Sequence, residues 1–396
     1  MTATSTCLIG ISGFGAVHYA DLLREVEVGR MQAVAATVIN QAEEAAKCER
    51  LRTLGCRLFS DYREMLEHCR GRAELCLIPT GTPLHAPMTI AALQAGLNVL
   101  VEKPAAGSLQ DVQAMQQAAR QAGRIVGVAY QQHYSPNTME AKRALLGGTI
   151  GRIEMIKGWA LWPRPDSYYR RNSWAGRLRV GESWVLDSPF NNALAHELAL
   201  MLFLAGRTER GGGVPVEVEA ELYRAHQIEG CDTACLRIRT DTGLPVLFFV
   251  THASRTTGGS EIEIRGSTGT IHLTRGSLTI QPRADQATSS ATPSQEVLRS
   301  GMLQAVCTAA RGGDVFYCDL ALAGLQTKAV VAAHEATAIH AVDEAFVQRQ
   351  TEGGDRKVVI EGVDEVVTQA FGAEKLFLEL GVPWAKSPGR ITLPRN

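Results

Sequence analysis

Three glycines lie within six residues, Gly10-Ile11-Ser12-Gly13-Phe14-Gly15, a spacing that could hold a phosphate. They follow the apolar run Cys7-Leu8-Ile9-Gly10-Ile11 and open a segment with helical spacing at Leu22, Leu23 and Val26. A glycine turn between strand and helix lets backbone amides approach a pyrophosphate, and the helix N-terminus favours the negative charge. Gly13-x-Gly15, with Phe14, Ala16 and Val17, is the candidate cradle, and His18 stands where a third glycine or alanine is usual. The next strand-like run ends Ala36-Thr37-Val38-Ile39-Asn40-Gln41, with no acid for a ribose hydroxyl and no arginine or lysine for a 2′-phosphate. Thr37 and Asn40 are the ribose candidates, and both NAD and NADP stay open as cofactors.

Two further motifs sit where strands end. Cys76-Leu77-Ile78 stops at Pro79-Thr80-Gly81-Thr82-Pro83-Leu84-His85, and Asn98-Val99-Leu100-Val101 stops at Glu102-Lys103-Pro104. Loops at the carboxyl ends of adjacent parallel strands are where an open α/β sheet binds ligand. A lysine there, followed by proline, can reach a substrate hydroxyl. Trp159 to Arg177 is dense in aromatic and guanidinium groups. Aromatic faces stack on sugar rings and arginine forks to hydroxyls or carboxylates, so Tyr169, Trp174 and Arg177 are candidate substrate contacts; a structural aromatic cluster fits the composition equally well.

Strand-like and helix-like segments alternate through the first third of the chain, which predicts βαβ units and a doubly wound parallel sheet. Helices are expected over 17–26, 42–54, 85–95 and 109–121. After about residue 150 the pattern becomes strand after strand (216–220, 234–238, 245–251, 261–264, 269–273 and 277–280), with short turns such as Asp241-Thr242-Gly243. This predicts a mostly antiparallel open sheet with helices on one face, at 196–204, 300–311 and 321–347. The polar stretch Ala284 to Ser294 reads as a surface loop. The expected domains are 1–127, 128–345 and a C-terminal extension, 346–396.

Together these motifs resemble the Gfo/Idh/MocA oxidoreductases, the family of glucose-fructose oxidoreductase and inositol dehydrogenase. The resemblance covers about residues 5 to 345 and rests on the glycine turn, Thr80 to His85, Glu102-Lys103-Pro104 and the later sheet. Gly81 stands where the family commonly has proline. The resemblance implies that Lys103 contacts substrate and nicotinamide, that Glu102 helps hold the nicotinamide ribose, and that Thr80, Gly81, Thr82 and His85 border the cofactor. It implies a role for Gln131, in Tyr130 to Pro136, at the cofactor or substrate. The family's catalytic Asp-x-x-x-His falls on Asn192 and His196. His196 would move a proton, since imidazole titrates near neutral pH, whereas Asn192 can only orient the substrate. Asp187 lies close enough in sequence to substitute for the missing acid. Lys103, His196 and Asn192 are thus the candidate catalytic set, and His196 and Asn192 also candidate substrate contacts. The resemblance further implies sugar, cyclitol or derivative substrates, and a homodimer or homotetramer formed through the open face of the second sheet.

Composition excludes other classes. The 40 Lys and Arg residues against 41 Asp and Glu give a net charge of −1, without the basic clusters of a nucleic-acid binder. No run of about 18 apolar residues could span a membrane. Residues 1–6 lack the basic start of a secretory signal, so a cytoplasmic location is expected. Nine cysteines include no Cys-x-x-Cys pair, and no metal site is expected. The reading is an NAD(P)-dependent dehydrogenase. A redox-neutral enzyme that cleaves a glycoside or epimerises with retained NAD, and a non-catalytic nucleotide- or sugar-binding protein, are the alternatives that Asn192 raises.

Overall fold

The computed structural model describes residues 2–394. In its first part, β1 (Thr4–Ile9), α1 (Gly15–Glu27), β2 (Met31–Thr37), α2 (Ala45–Thr53), β3 (Arg57–Phe59) and α3 (Tyr62–Cys69) alternate. They lead into β4 (Leu75–Ile78), α4 (Thr82–Gln94), β5 (Asn98–Val101), α5 (Leu109–Ala122) and β6 (Val126–Val128). The six strands form one parallel sheet in the order β3-β2-β1-β4-β5-β6, which reverses direction beside β1. Strands β4 and β5 are buried along their whole length, which is why β4 reads as an unbroken apolar run and β5 as Val99-Leu100-Val101 after the hydrogen-bonded Asn98.

Beyond β6 the chain forms α6 (Pro136–Leu146), β7 (Ile153–Leu161), α7 (Asp166–Arg170), the short pair β8 (Arg179–Val180) and β9 (Ser183–Trp184), and α8 (Ala195–Leu204). An antiparallel run follows: β10 (Pro215–Arg224), β11 (Thr233–Thr240), β12 (Pro245–Thr251), β13 (Gly258–Gly266), β14 (Gly269–Leu273), β15 (Ser277–Pro282) and β16 (Thr288–Ala291). Then come α9 (Gln295–Ala310), α10 (Leu320–Ala336), β17 (Ile339–Ala341), the hairpin β18 (Val347–Glu352) and β19 (Asp355–Ile360), α11 (Val363–Ala373) and β20 (Gly389–Thr392). The larger sheet runs β16-β15-β14-β13-β7-β12-β11-β10-β17, with β20 also pairing β10.

The chain forms two compact units, one of Met1–Tyr134 with Ser294–Gly324, the other of Ser135–Pro293 with Leu325–Asn396. Residues 294–324 therefore pack with the parallel sheet, although in sequence they fall within the expected 128–345 domain. Helix α1 buries two carboxylates, Asp21 and Glu25, which pair locally with Arg24 and Arg30, and α9 adds a partner to each. Arg299 donates to Asp21 at 2.7 Å and Ser300 to Glu25 at 2.6 Å. Met302, Leu303 and Val306 join Leu8, Leu100 and Ala129 in one core.

Three expectations change in the second unit. The stretch 284–294 contains a strand, β16, because Thr288–Ala291 pair with β15. The helix expected over 321–347 ends at Ala336, and Ile339–Ala341 instead run parallel to β10. The face expected to lie open is partly covered by the chain's own extension. Trp159, Tyr223, Leu247 and Phe249 on the sheet pack against Val363, Val367, Phe377 and Trp384. Alternate residues of β7 and β12 thus point to two apolar environments, the extension on one side and α8 on the other.

A buried lysine ties α6 to the end of α8 in this unit. Lys142 on α6 is fully buried and donates to the carbonyls of Phe203, Gly206 and Gly211 at 2.5, 2.8 and 3.1 Å, closing the C-terminal end of α8. Burial pulls its pKa down to about 7. Lys142→Met is expected to leave those carbonyls without their donor and to cost about 2–4 kcal/mol, read as a lower urea midpoint at unchanged m.

Candidate functional site

The strand ends of the first unit converge on a nucleotide cradle. Gly10 lies at φ +91°, and a Cβ on Gly15 would stand 2.7 Å from the Gly10 carbonyl oxygen. Gly10 therefore makes the tight turn and Gly15 the close helix–strand contact, so the fingerprint is Gly10-x-Ser12-x-x-Gly15. Gly13 sits exposed on the same turn at φ +56°, and the geometry gives Gly10 and Ser12 places in the cradle that the sequence reading did not assign them. His18 is no third fingerprint position; it lies one turn into α1. Phe14, Ala16 and Val17 form the entry to α1, which no side chain caps.

Around the cradle, Ser12 Oγ donates to Asn40 Oδ1 at 3.1 Å, and Asn40 Nδ2 donates to Glu43 at 2.9 Å. Asn40 thus stays at the site with an acid behind it. Thr37 does not: it is buried, and its hydroxyl faces Met65 Sδ at 3.2 Å, because the last residue of β2 turns toward α3. Thr80 Oγ1 is buried with no partner among the described residues. Phe14, Ile39 and Leu84 are exposed at the ends of β1, β2 and β4, Ile39 by 85%. A glycine cradle, an unpartnered hydroxyl and apolar side chains left open fit a dinucleotide.

Lys103 follows β5 in the same unit, partly exposed between buried Glu102 and Pro104. Glu102 accepts from the Lys103 amide at 3.1 Å and meets His18 Nε2 at 2.8 Å. Burial alone would raise the Glu102 pKa, but the His18 hydrogen bond and the nearby cations hold it below the ordinary carboxylate range. His85 ties this loop to its neighbour: Nδ1 lies 2.8 Å from the Pro104 carbonyl and Nε2 3.0 Å from that of Thr80. The ring is buried, and burial lowers its pKa against the pull of both carbonyls. Gly81 precedes α4 as its N-cap and Thr82 begins the helix. Gln131 donates to Gln295 at 3.0 Å.

The second unit assembles a separate polar cluster. Asp187 accepts from the Gly176 amide at 2.5 Å and from Asn192 Nδ2 at 2.9 Å. Asn192 also donates to the Tyr168 hydroxyl at 3.2 Å. The residue before Asp187, Leu186, sits at φ +49°, a left-handed conformation that costs a bulky residue about 1–2 kcal/mol. Asn192 lies in the turn ahead of α8 rather than within the helix, and His196 is the second residue of α8. Tyr169 donates to His252 Nδ1 at 3.3 Å. Burial, with Arg164, His226 and Arg171 nearby, drives the His252 pKa far down, so the ring is neutral and can accept. Burial in turn pushes the Tyr169 hydroxyl well above its usual range.

Of the three aromatic and arginine candidates, Tyr169 belongs to this cluster. Trp174 stacks under Arg171 at 5.4 Å, and Arg177 pairs with Glu229 at 3.5 Å. Tyr168 and His252 were missed from sequence. The doublet Tyr168-Tyr169 was a signal for the first, whereas nothing in the sequence around His252 marks it. Among the described residues no group of three or more His, Cys, Asp or Glu could hold a metal ion, and no helix is long and apolar enough to cross a membrane.

Sheet order and cradle define a dinucleotide-binding, Rossmann-type unit. Residues 5–130 match the model of the oxidoreductase family with NAD-binding Rossmann fold, and residues 138–272 match the GFO/IDH/MocA C-terminal domain. The chain belongs to the Gfo/Idh/MocA family. It is 28% identical over 153 residues to inositol 2-dehydrogenase of Rubrobacter xylanophilus, covering 38% of this chain and 42% of that protein. To scyllo-inositol 2-dehydrogenase (NAD(+)) of Bacillus subtilis it is 29% identical over 153 residues, covering 38% and 43%. The matched stretches thus span less than half the length of these relatives. Among solved structures it is similar to the WlbA dehydrogenase from Bordetella pertussis in complex with NADH and UDP-GlcNAcA. There the TM-score is 0.69 at 25% identity, covering 84% of this chain and 95% of that one. Levoglucosan dehydrogenase in complex with NADH and levoglucosan shares the fold, with a TM-score of 0.68 at 20% identity over 84% and 97% of the two chains.

Proposed function

We propose that this protein is an NAD-dependent dehydrogenase that oxidises a ring hydroxyl of a sugar, cyclitol or derivative, or runs the reverse reduction. The observation that carries the reading is the 2.8 Å contact between His18 and Glu102. It fastens the loop of Lys103 to the helix that opens from the glycine cradle. When bound, the nicotinamide supplies the acceptor for a hydride. Lys103 Nζ takes the hydroxyl proton as the C–H electron pair departs, leaving a ketone. Glu102 accepts from the Lys103 amide and, through His18, fixes the loop that presents the lysine. In the second unit, Asp187 fixes the amide of Asn192, which orients a substrate oxygen, and His196 serves as a second proton carrier. The dehydrogenase names of the relatives support the hydride chemistry, and the NADH bound in the WlbA structure supports the cofactor. A cytoplasmic location and self-association belong to the same proposal.

The test is calorimetric titration with NAD, followed by NADH formation with a panel of cyclitols and sugars. Gly15→Ala places a methyl group against the Gly10 carbonyl and is expected to weaken NAD by about 100-fold, some 2.7 kcal/mol. A wild-type protein that binds no NAD, or a Gly15→Ala variant that binds it equally well, would remove the proposal.

A further inference from the structure

A cavity of about 800 Å³ opens in the second unit between the segment after β7, the β10–β11 turn and the β18–β19 hairpin. Its charged lining is mostly arginine, and the three carboxylates present are already committed. Asp166 accepts from Arg356 at 2.5 Å, Glu229 pairs with Arg177 at 3.5 Å, and Glu344 binds Arg349 through both oxygens. Arg224 stands apart. Its Nη1 donates to the carbonyls of Ile228 and Glu229 at 3.1 and 3.2 Å, and among the described residues no carboxylate lies within 4.0 Å of its guanidinium. Among the described residues Nε and Nη2 make no hydrogen bond to the protein. The side chain is half-buried, so this positive charge is partly desolvated with no counter-ion among the described residues. A guanidinium anchored by one nitrogen, with the other two free, is shaped for a carboxylate or phosphate.

The same cavity reaches the polar cluster described above. Tyr169 lines it, and so does Gly176, whose amide holds Asp187. We propose that the cavity receives an anionic group carried by the substrate, a carboxylate or a phosphate, and that Arg224 binds it. The substrate class is then an acidic sugar derivative rather than a neutral cyclitol. This rests on the dehydrogenase reading and narrows its substrate.

The experiment is calorimetry on the NAD-saturated full-length protein with glucose, glucuronate, glucose 6-phosphate and inorganic phosphate. One of the two anionic sugars is expected to bind at least about tenfold more tightly than glucose, and which one it is separates carboxylate from phosphate. Arg224→Gln is expected to erase that preference, and Arg224→Lys, which keeps the charge and loses the fork, to restore part of it. NAD affinity and melting temperature are measured in parallel on every variant. Glucose binding as tightly as both anionic sugars overturns the proposal, without reliance on any variant. So does an Arg224→Gln protein that melts normally and keeps the preference, and so does inorganic phosphate that binds as tightly as either anionic sugar. Failure of NAD itself to bind would instead strike the dehydrogenase reading.

Discussion

Lys103→Met is expected to lower kcat by about 10²–10⁴-fold, with a far smaller change in NAD affinity. The size follows from its place. Lys103 is the partly exposed residue of a loop whose neighbours are fixed: Glu102 by His18, and Pro104 by the His85 ring against its carbonyl. A methionine keeps the length and apolar stem but cannot take a proton. The loop itself should survive, since its ties run through Glu102, Pro104 and the Lys103 amide. Stopped-flow hydride transfer and an NAD titration on the same preparation separate the two effects. A kcat within about threefold of wild type would show that Lys103 is not the proton acceptor.

Asn192→Asp should have the second-largest effect, and its sign is set by Asp187. The new carboxylate would sit where the amide now donates at 2.9 Å. Two carboxylates so close cannot both ionise, so the pair retains a proton well above the usual carboxylate range. The folded pKa of the pair then lies above its unfolded value of about 3.9, and between the two the folded state binds the extra proton. The stabilising contribution is present below the unfolded pKa and is lost as pH rises through the folded one. Relative to wild type, the variant is expected to lose about 1–3 kcal/mol more at pH 8 than at pH 5, read from urea midpoints. A new ionisation should also enter the pH profile of kcat/KM. Equal losses at both pH values would mean that Asp187 and residue 192 do not meet in solution.

Asn192 also shows how far the sequence could be read. It stands four residues before His196, yet α8 begins only at Ala195, and Asn192 lies in the preceding turn against Asp187 and Tyr168. The substitution of amide for acid was legible at once. That a carboxylate stands beside the amide was legible only as nearness in sequence, because the contact depends on the path through Leu186 and Pro189. The glycine turn was legible as a turn, yet its register was not. Three glycines in six residues allow more than one assignment, and the 2.7 Å approach of Gly15 to the Gly10 carbonyl decides it.

The sequence by itself determined the parallel sheet and its ligand-binding edge. Parallel strands buried on both faces, such as β4 and β5, are largely apolar runs, and their carboxyl ends lead to Thr80 and Lys103. Local alternation likewise determined most of the second sheet, since a strand with a buried face betrays its period of two. Tertiary structure alone decided the rest: that α9 returns Arg299 to the buried Asp21 and Ser300 to Glu25, that the extension seats Phe377 and Trp384 on the sheet, and that among the described residues Arg224 has no carboxylate beside it. Those outcomes depend on pairs of groups distant along the chain, where burial of a charge or an apolar ring is settled by which partner arrives and not by any local pattern.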